Sequence, residues 1–119
     1  MSNLARLSWL LLLLNVIPGA IWAHAVVTDN TLKIDPVQAG QAKKITLTFN
    51  SQVELALSHF DLVKKGDLRE RLDIAPGPKQ GQVIVNLPPL LTGEHAIQLK
   101  VFAADGHLTE DLIRFFVVD

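Results

Sequence analysis

The chain has 119 residues, room for one domain, and its 11 basic and 12 acidic residues leave it near neutral. That balance excludes a polyanion-binding or nucleic-acid-binding surface. Cysteine is absent, so neither a disulfide nor a lipid-bearing thiol stabilises or tethers the fold.

The N-terminus reads as an export signal. Arg6 is the only charge in the opening stretch, and an apolar run follows from Leu7 to Ile17, interrupted only by Ser8 and Asn15. Pro18 and Gly19 end that run and small residues follow at Ala20 and Ala23. A positive start, an apolar core and a small-residue exit define a cleaved secretory signal. The run is shorter than the roughly 20 residues that span a bilayer, which argues against a retained membrane anchor. Two cleavage points compete. Cutting after Ala25 matches Ala23-His24-Ala25 to the A-x-A pattern, which local pattern favours; cutting after Ala23 makes His24 the new N-terminus. The metal chemistry below favours the second, giving a signal at 1–23 and a domain at 24–119.

Removing 23 residues leaves 96, enough for two packed layers around a modest core. Arg6 leaves with the signal, so the mature chain has ten basic against 12 acidic residues. The initiator is the only Met and both Trp lie in the signal; with no Tyr, the mature domain has five Phe as its only aromatics.

Period-two alternation dominates the remainder. Short apolar stretches at Ala25–Thr28, His59–Val63 and Leu68–Ile74 are candidate strands. Stronger one-faced strands are carried by Ile45, Leu47 and Phe49, by Val83, Val85 and Leu87, by Ile97, Leu99 and Val101, and by Ile113, Phe115 and Val117. Turn residues separate them at Asp35-Pro36 to Gly40, Lys65-Gly66-Asp67, Pro76-Gly77-Pro78, Pro88-Pro89 to Gly93 and Asp105-Gly106. Only Gln52–Leu57 has room for a helical turn. About seven short strands without long helices predict an all-β, Greek-key, immunoglobulin-like sandwich.

Four histidines follow the signal: His24, His59, His95 and His107. An N-terminal His24 offers an α-amine, with a pKa of only about 8, and an imidazole on one residue. Two nitrogens held in a plane suit Cu(II), which prefers tetragonal N,O coordination. Asp105-Gly106-His107 follows the strand that ends at Phe102. Residues two apart can face one side, and Gly106 permits a sharp bend, so Asp105 and His107 can offer an oxygen and a nitrogen to one point. Taken alone, those three residues favour a plain D-G hairpin turn with a solvated His. His95 shares parity with Ile97 and reads as an inward structural residue bonded to backbone; His59 reads as a surface residue. Glu110 and Asp111 read as a solvated stretch, with a supporting role behind His107 as the alternative.

Thr46-Leu47-Thr48-Phe49, the approach from Leu87-Pro88 to Leu91-Thr92-Gly93, and Ala104-Asp105-Gly106-His107 before a closing strand together resemble the CopC-type copper resistance proteins. The resemblance spans His24 to Val118. It implies a small periplasmic β-sandwich that binds Cu(II) through the amine and imidazole of His24, the carboxylate of Asp105 and the imidazole of His107. It also implies a role in copper homeostasis without catalysis, and an inner-membrane copper-handling partner. Two departures stand out. Some members carry a Glu ligand two residues after the strand-ending Phe, where this chain has Ser51, so three ligand residues are expected. Some carry a Met-rich Cu(I) segment, which this chain lacks. A copper-brace oxidative enzyme also uses an N-terminal His, but this small domain lacks the Trp and Tyr that stack on sugars. A metal-free interaction module follows if cleavage removes His24.

Overall fold

The computed structural model describes residues 25–119, and the expected signal at 1–23 and His24 lie outside the described residues. The described residues form nine strands: β1 (Val27–Asn30), β2 (Val37–Gln38), β3 (Lys43–Phe49), β4 (His59–Val63), β5 (Arg69–Arg71), β6 (Asp73–Pro76), β7 (Gln82–Leu87), β8 (Gly93–Phe102) and β9 (Leu108–Val118). They build a four-stranded sheet in the order β1-β3-β7-β6 and a five-stranded sheet in the order β2-β9-β8-β4-β5. All pairings are antiparallel except β2 with β9. Chain crossings between sheets, as from β3 to β4 and from β7 to β8, give the expected immunoglobulin-like sandwich.

The alternating residues explain the layers. Ile45, Leu47 and Phe49 from β3 and Val83, Val85 and Leu87 from β7 face Phe60 and Leu62 from β4 and Ile97, Leu99 and Val101 from β8. All eleven are buried, and the ring of Phe49 meets Phe60 edge-on across the two sheets at 6.3 Å. A one-residue slip in any of these strands would turn its apolar set to solvent, which fixes the register.

Nine strands replace the expected seven for two local reasons. The stretch Leu68–Ile74 is two strands, because the chain leaves one sheet at Arg71 and joins the other at Asp73. Leu72 sits buried at that crossing, its N–H donating to the Phe60 carbonyl at 2.8 Å. The Asp35–Gly40 turn contains β2, whose Val37 is buried and pairs in parallel with the end of β9. Pro76 ends β6 at a sheet edge, where its missing N–H costs no ladder bond. The first strand runs two residues later than expected, beginning at Val27. Between Gln52 and Leu57 a single turn forms, closed by Ser58 N–H to Glu54 O at 3.1 Å.

Candidate metal centre

The hairpin between β8 and β9 is built by the sequence Ala103-Ala104-Asp105-Gly106-His107. Ala103 N–H donates to His107 O and Gly106 N–H to Ala103 O, both at 2.9 Å. This is a three-residue hairpin loop whose third position needs a positive φ. Gly106 supplies it at φ 89°, with open space where a Cβ would stand. The D-G turn reading is therefore correct as a description of the backbone.

The same turn aims two donors at each other. Asp105 Oδ1 accepts the His107 N–H at 3.1 Å, and Asp105 Oδ2 lies 2.9 Å from His107 Nδ1. Both side chains stay open to solvent, 41% exposed for Asp105 and 56% for His107. The His107 backbone N–H is the main reason the Asp105 carboxyl titrates below its ordinary value of 3.8; partial desolvation opposes it, and the His107 ring adds a smaller lowering. The acid thus stays ionised through the neutral range, as a metal-binding carboxylate must.

The first described residues reach the same end of the sandwich. Ala25 is buried, and Val26 is clamped by Asn50: its N–H donates to Asn50 Oδ1 at 2.8 Å, and its carbonyl accepts the Asn50 N–H at 3.0 Å. Two residues on, Gln52 O accepts the Ala104 N–H at 3.1 Å, and Val53 bridges to Ala103. The segment from Asn50 to Val53 therefore ties the start of the domain to the Asp105–His107 hairpin. Ser51 lies in that segment, and its buried Oγ has no hydrogen-bond partner among the described residues.

Among the described residues, no three of His, Cys, Asp or Glu gather into a metal-holding group. Asp105 and His107 bring one carboxylate and one imidazole together at this hairpin. The other candidates lie elsewhere. His95 Nε2 bonds to Leu91 O at 2.7 Å and its ring stacks on Phe115, the structural role expected of it. His59 Nδ1 meets Arg71 at 2.9 Å on the outer face of the five-stranded sheet. Glu110 approaches Lys100, and Asp111 caps the Leu112 N–H.

Sequence reading overlooked Ser58. It is buried, its Oγ donating to Glu54 O at 2.8 Å and accepting from Phe102 N–H at 3.0 Å. Ser58 shares parity with inward-facing Phe60 and Leu62, a polar residue at a core position, and that was the available signal.

An immunoglobulin-like sandwich with an acid–histidine hairpin at the end where the domain begins defines the class of protein. The model of the CopC domain matches residues 27–118, and the chain belongs to that family. In structure it is similar to CopC from Methylosinus trichosporium OB3b, with a TM-score of 0.65 and 23% identity over 80% of this chain and 94% of that one. It is likewise similar to PcoC from Escherichia coli, described as a methionine-rich copper resistance protein, with a TM-score of 0.59 and 21% identity over 80% and 99% of the two chains. No curated protein matches it in sequence.

Proposed function

We propose that this chain is a periplasmic Cu(II)-binding protein that buffers or delivers copper, without catalytic activity. The ion is its cargo, held by the α-amine and imidazole of His24, the carboxylate of Asp105 and the imidazole of His107. The observation that carries this reading is the clamped start of the domain: the bonds of Val26 to Asn50 and of Ala104 to Gln52 hold Val26, two residues after His24 in sequence, at the hairpin's own end. The donors suit Cu(II), being amine, imidazole and carboxylate. After Met1 the chain has neither Met nor Cys, so it lacks the soft ligands that Cu(I) prefers and that mark PcoC as methionine-rich. An exposed site suits exchange with a partner, and an inner-membrane copper-handling protein is the fitting recipient.

The 2.9 Å contact between Asp105 Oδ2 and His107 Nδ1 supports a second role for Asp105, orienting the ring so that Nε2 faces the metal. In both roles His107 is a ligand.

Native mass spectrometry of the protein exported through its own signal, with Cu(II) added, tests the site. A chain beginning at His24 that holds one copper, and a His107→Ala variant that loses it, are expected. A chain beginning at Val26, or one that holds no copper, overturns the proposal.

A further inference from the structure

The outer edge of the five-stranded sheet is open along most of β9. Residues in an antiparallel pair alternate between bonding the neighbour and facing away. At one end of β9, Ala103 N–H reaches His107 O on the β8 side; at the other, Ala39 N–H reaches Val118 O on the outer side. Odd-numbered residues of β9 therefore bond β8, and even-numbered residues turn their N–H and C=O outward. β2 covers that edge only at Val117 and Val118. From Leu108 to Phe116 no strand among the described residues pairs with that edge, and a groove of about 330 Å³ separates Ile113–Phe116 from Leu32 and Pro36.

The outward row on this strand reads Leu108, Glu110, Leu112, Arg114, Phe116. Its apolar members are 45%, 44% and 67% exposed. The row is self-complementary about Leu112. In an antiparallel pair with its own copy, Leu112 meets Leu112, each Glu110 meets the other copy's Arg114, and each Leu108 meets the other's Phe116. Glu110 lies beside Lys100 on β8, at 3.9 Å, so it would sit between two cations. The same register places outward-facing backbone groups opposite one another, as a bonded antiparallel ladder requires.

We infer that the protein self-associates as a two-fold dimer through β9, centred on Leu112, joining two five-stranded sheets into one. The occupant of the edge is a second copy of this chain because its charge order complements itself only in that pairing. The pairing closes on itself, so it forms no open fibre. Asp111 sets its strength. This carboxylate stands on the inward face at the edge and accepts the Leu112 N–H at 2.8 Å, and an inward charge is a known guard against edge pairing. The dimer requires that cap to be released, so association is weak and concentration-dependent. The two Asp105–His107 hairpins fall at opposite ends, with the two Leu108 positions about 27 Å apart along the strand direction, and both stay open.

Sedimentation of the exported, processed protein across roughly 10 µM to 1 mM tests this directly. A monomer–dimer equilibrium is expected. Arg114→Glu and Glu110→Arg each weaken it about tenfold or more by setting like charges opposite, and the double exchange restores it. Asp111→Ala strengthens it several-fold, about what one released hydrogen bond accounts for. Slowed amide exchange at Glu110, Leu112 and Arg114 with rising concentration locates the interface in the unaltered protein. A monomer at every concentration overturns the inference. So does a dimer indifferent to the charge exchanges, which would use another surface.

Discussion

Ser58→Ala tests how the hairpin end of the sandwich is held. The Ser58 hydroxyl is the acceptor for Phe102 N–H, on the last residue of β8, and it donates to Glu54 O. Glu54 N–H in turn donates to Phe102 O at 2.8 Å, so both backbone groups of Phe102 on that side depend on the 54–58 turn. Alanine removes both hydroxyl bonds with unequal consequences. Glu54 O keeps its bonds from Leu57 and Ser58 N–H, whereas Phe102 N–H is left without an acceptor in a partly buried place. A lost bond of about 1 kcal/mol and an unsatisfied donor of about 1–2 kcal/mol sum to about 2–3 kcal/mol. For a domain of this size that lowers Tm by about 8–24 °C. Urea unfolding with unchanged m measures the loss, and faster exchange of the Phe102 amide assigns it. A loss below about 0.5 kcal/mol with the Phe102 amide still protected would refute the reasoning, since an ordinary surface substitution does as much.

Gly81 and Gly106 both have positive φ but different surroundings. A Cβ at Gly81 would stand 2.9 Å from Phe49 O, so Gly81→Ala is expected to cost more than the about 1–2 kcal/mol of backbone strain expected for Gly106→Ala, which has open space; urea midpoints of the two variants compare them. Phe60→Ala removes a fully buried ring that touches Phe49 across the sheets, and should lower unfolding free energy by about 3–5 kcal/mol. In the metal-free protein, carboxyl-carbon NMR should show Asp105 titrating below 3.8, and still below it in His107→Ala because the backbone N–H remains. The sign follows from a depressed folded-state acid: its contribution to stability is present above the unfolded carboxylate pKa and is lost as pH falls through the lower folded value. Between about pH 6 and 9 that contribution is complete, so Asp105 adds no slope to the dependence of stability on pH.

The core was legible because eleven of its members recur at every second position along four strands, mostly between polar residues, and that period admits one inward face. The two-residue β2 was not legible. Val37 sits among Pro, Gln and Gly, and only the parallel partner supplied by the end of β9 makes it a strand. The break at Leu72 was hidden for a related reason: alternation continues across it, and the change of sheet is decided by what Leu72 packs against. At the proposed metal centre, the Asp105-Gly106-His107 turn was legible from its spacing and from Gly106, whereas the ligand roles of Asp105 and His107 rested on the family resemblance. The clamp made by Asn50 on Val26 was not, because side chain-to-backbone bonds between residues 24 apart leave no local pattern.

Asp105 is where geometry and the proposed chemistry meet most sharply. Its two oxygens both point at His107, one at the backbone N–H and one at Nδ1. A carboxylate that ligates the copper directly must share or surrender the Nδ1 contact, whereas one that orients the ring keeps it. The two roles differ in what the ion senses. Loss of a ligating oxygen alters the equatorial donor set and hence the Cu(II) EPR parameters. Loss of an orienting group leaves the donors in place and lowers affinity about 10–100-fold. With Asp105 as a ligand, Asp105→Ala and Asp105→Asn are both expected to change the EPR spectrum, and competition with a chelator should show both binding more weakly. An unchanged spectrum with weakened binding would remove Asp105 from the ligand set while leaving His107 in it. His107→Ala must change the spectrum under either role, so it separates a failure of this assignment from a failure of the site.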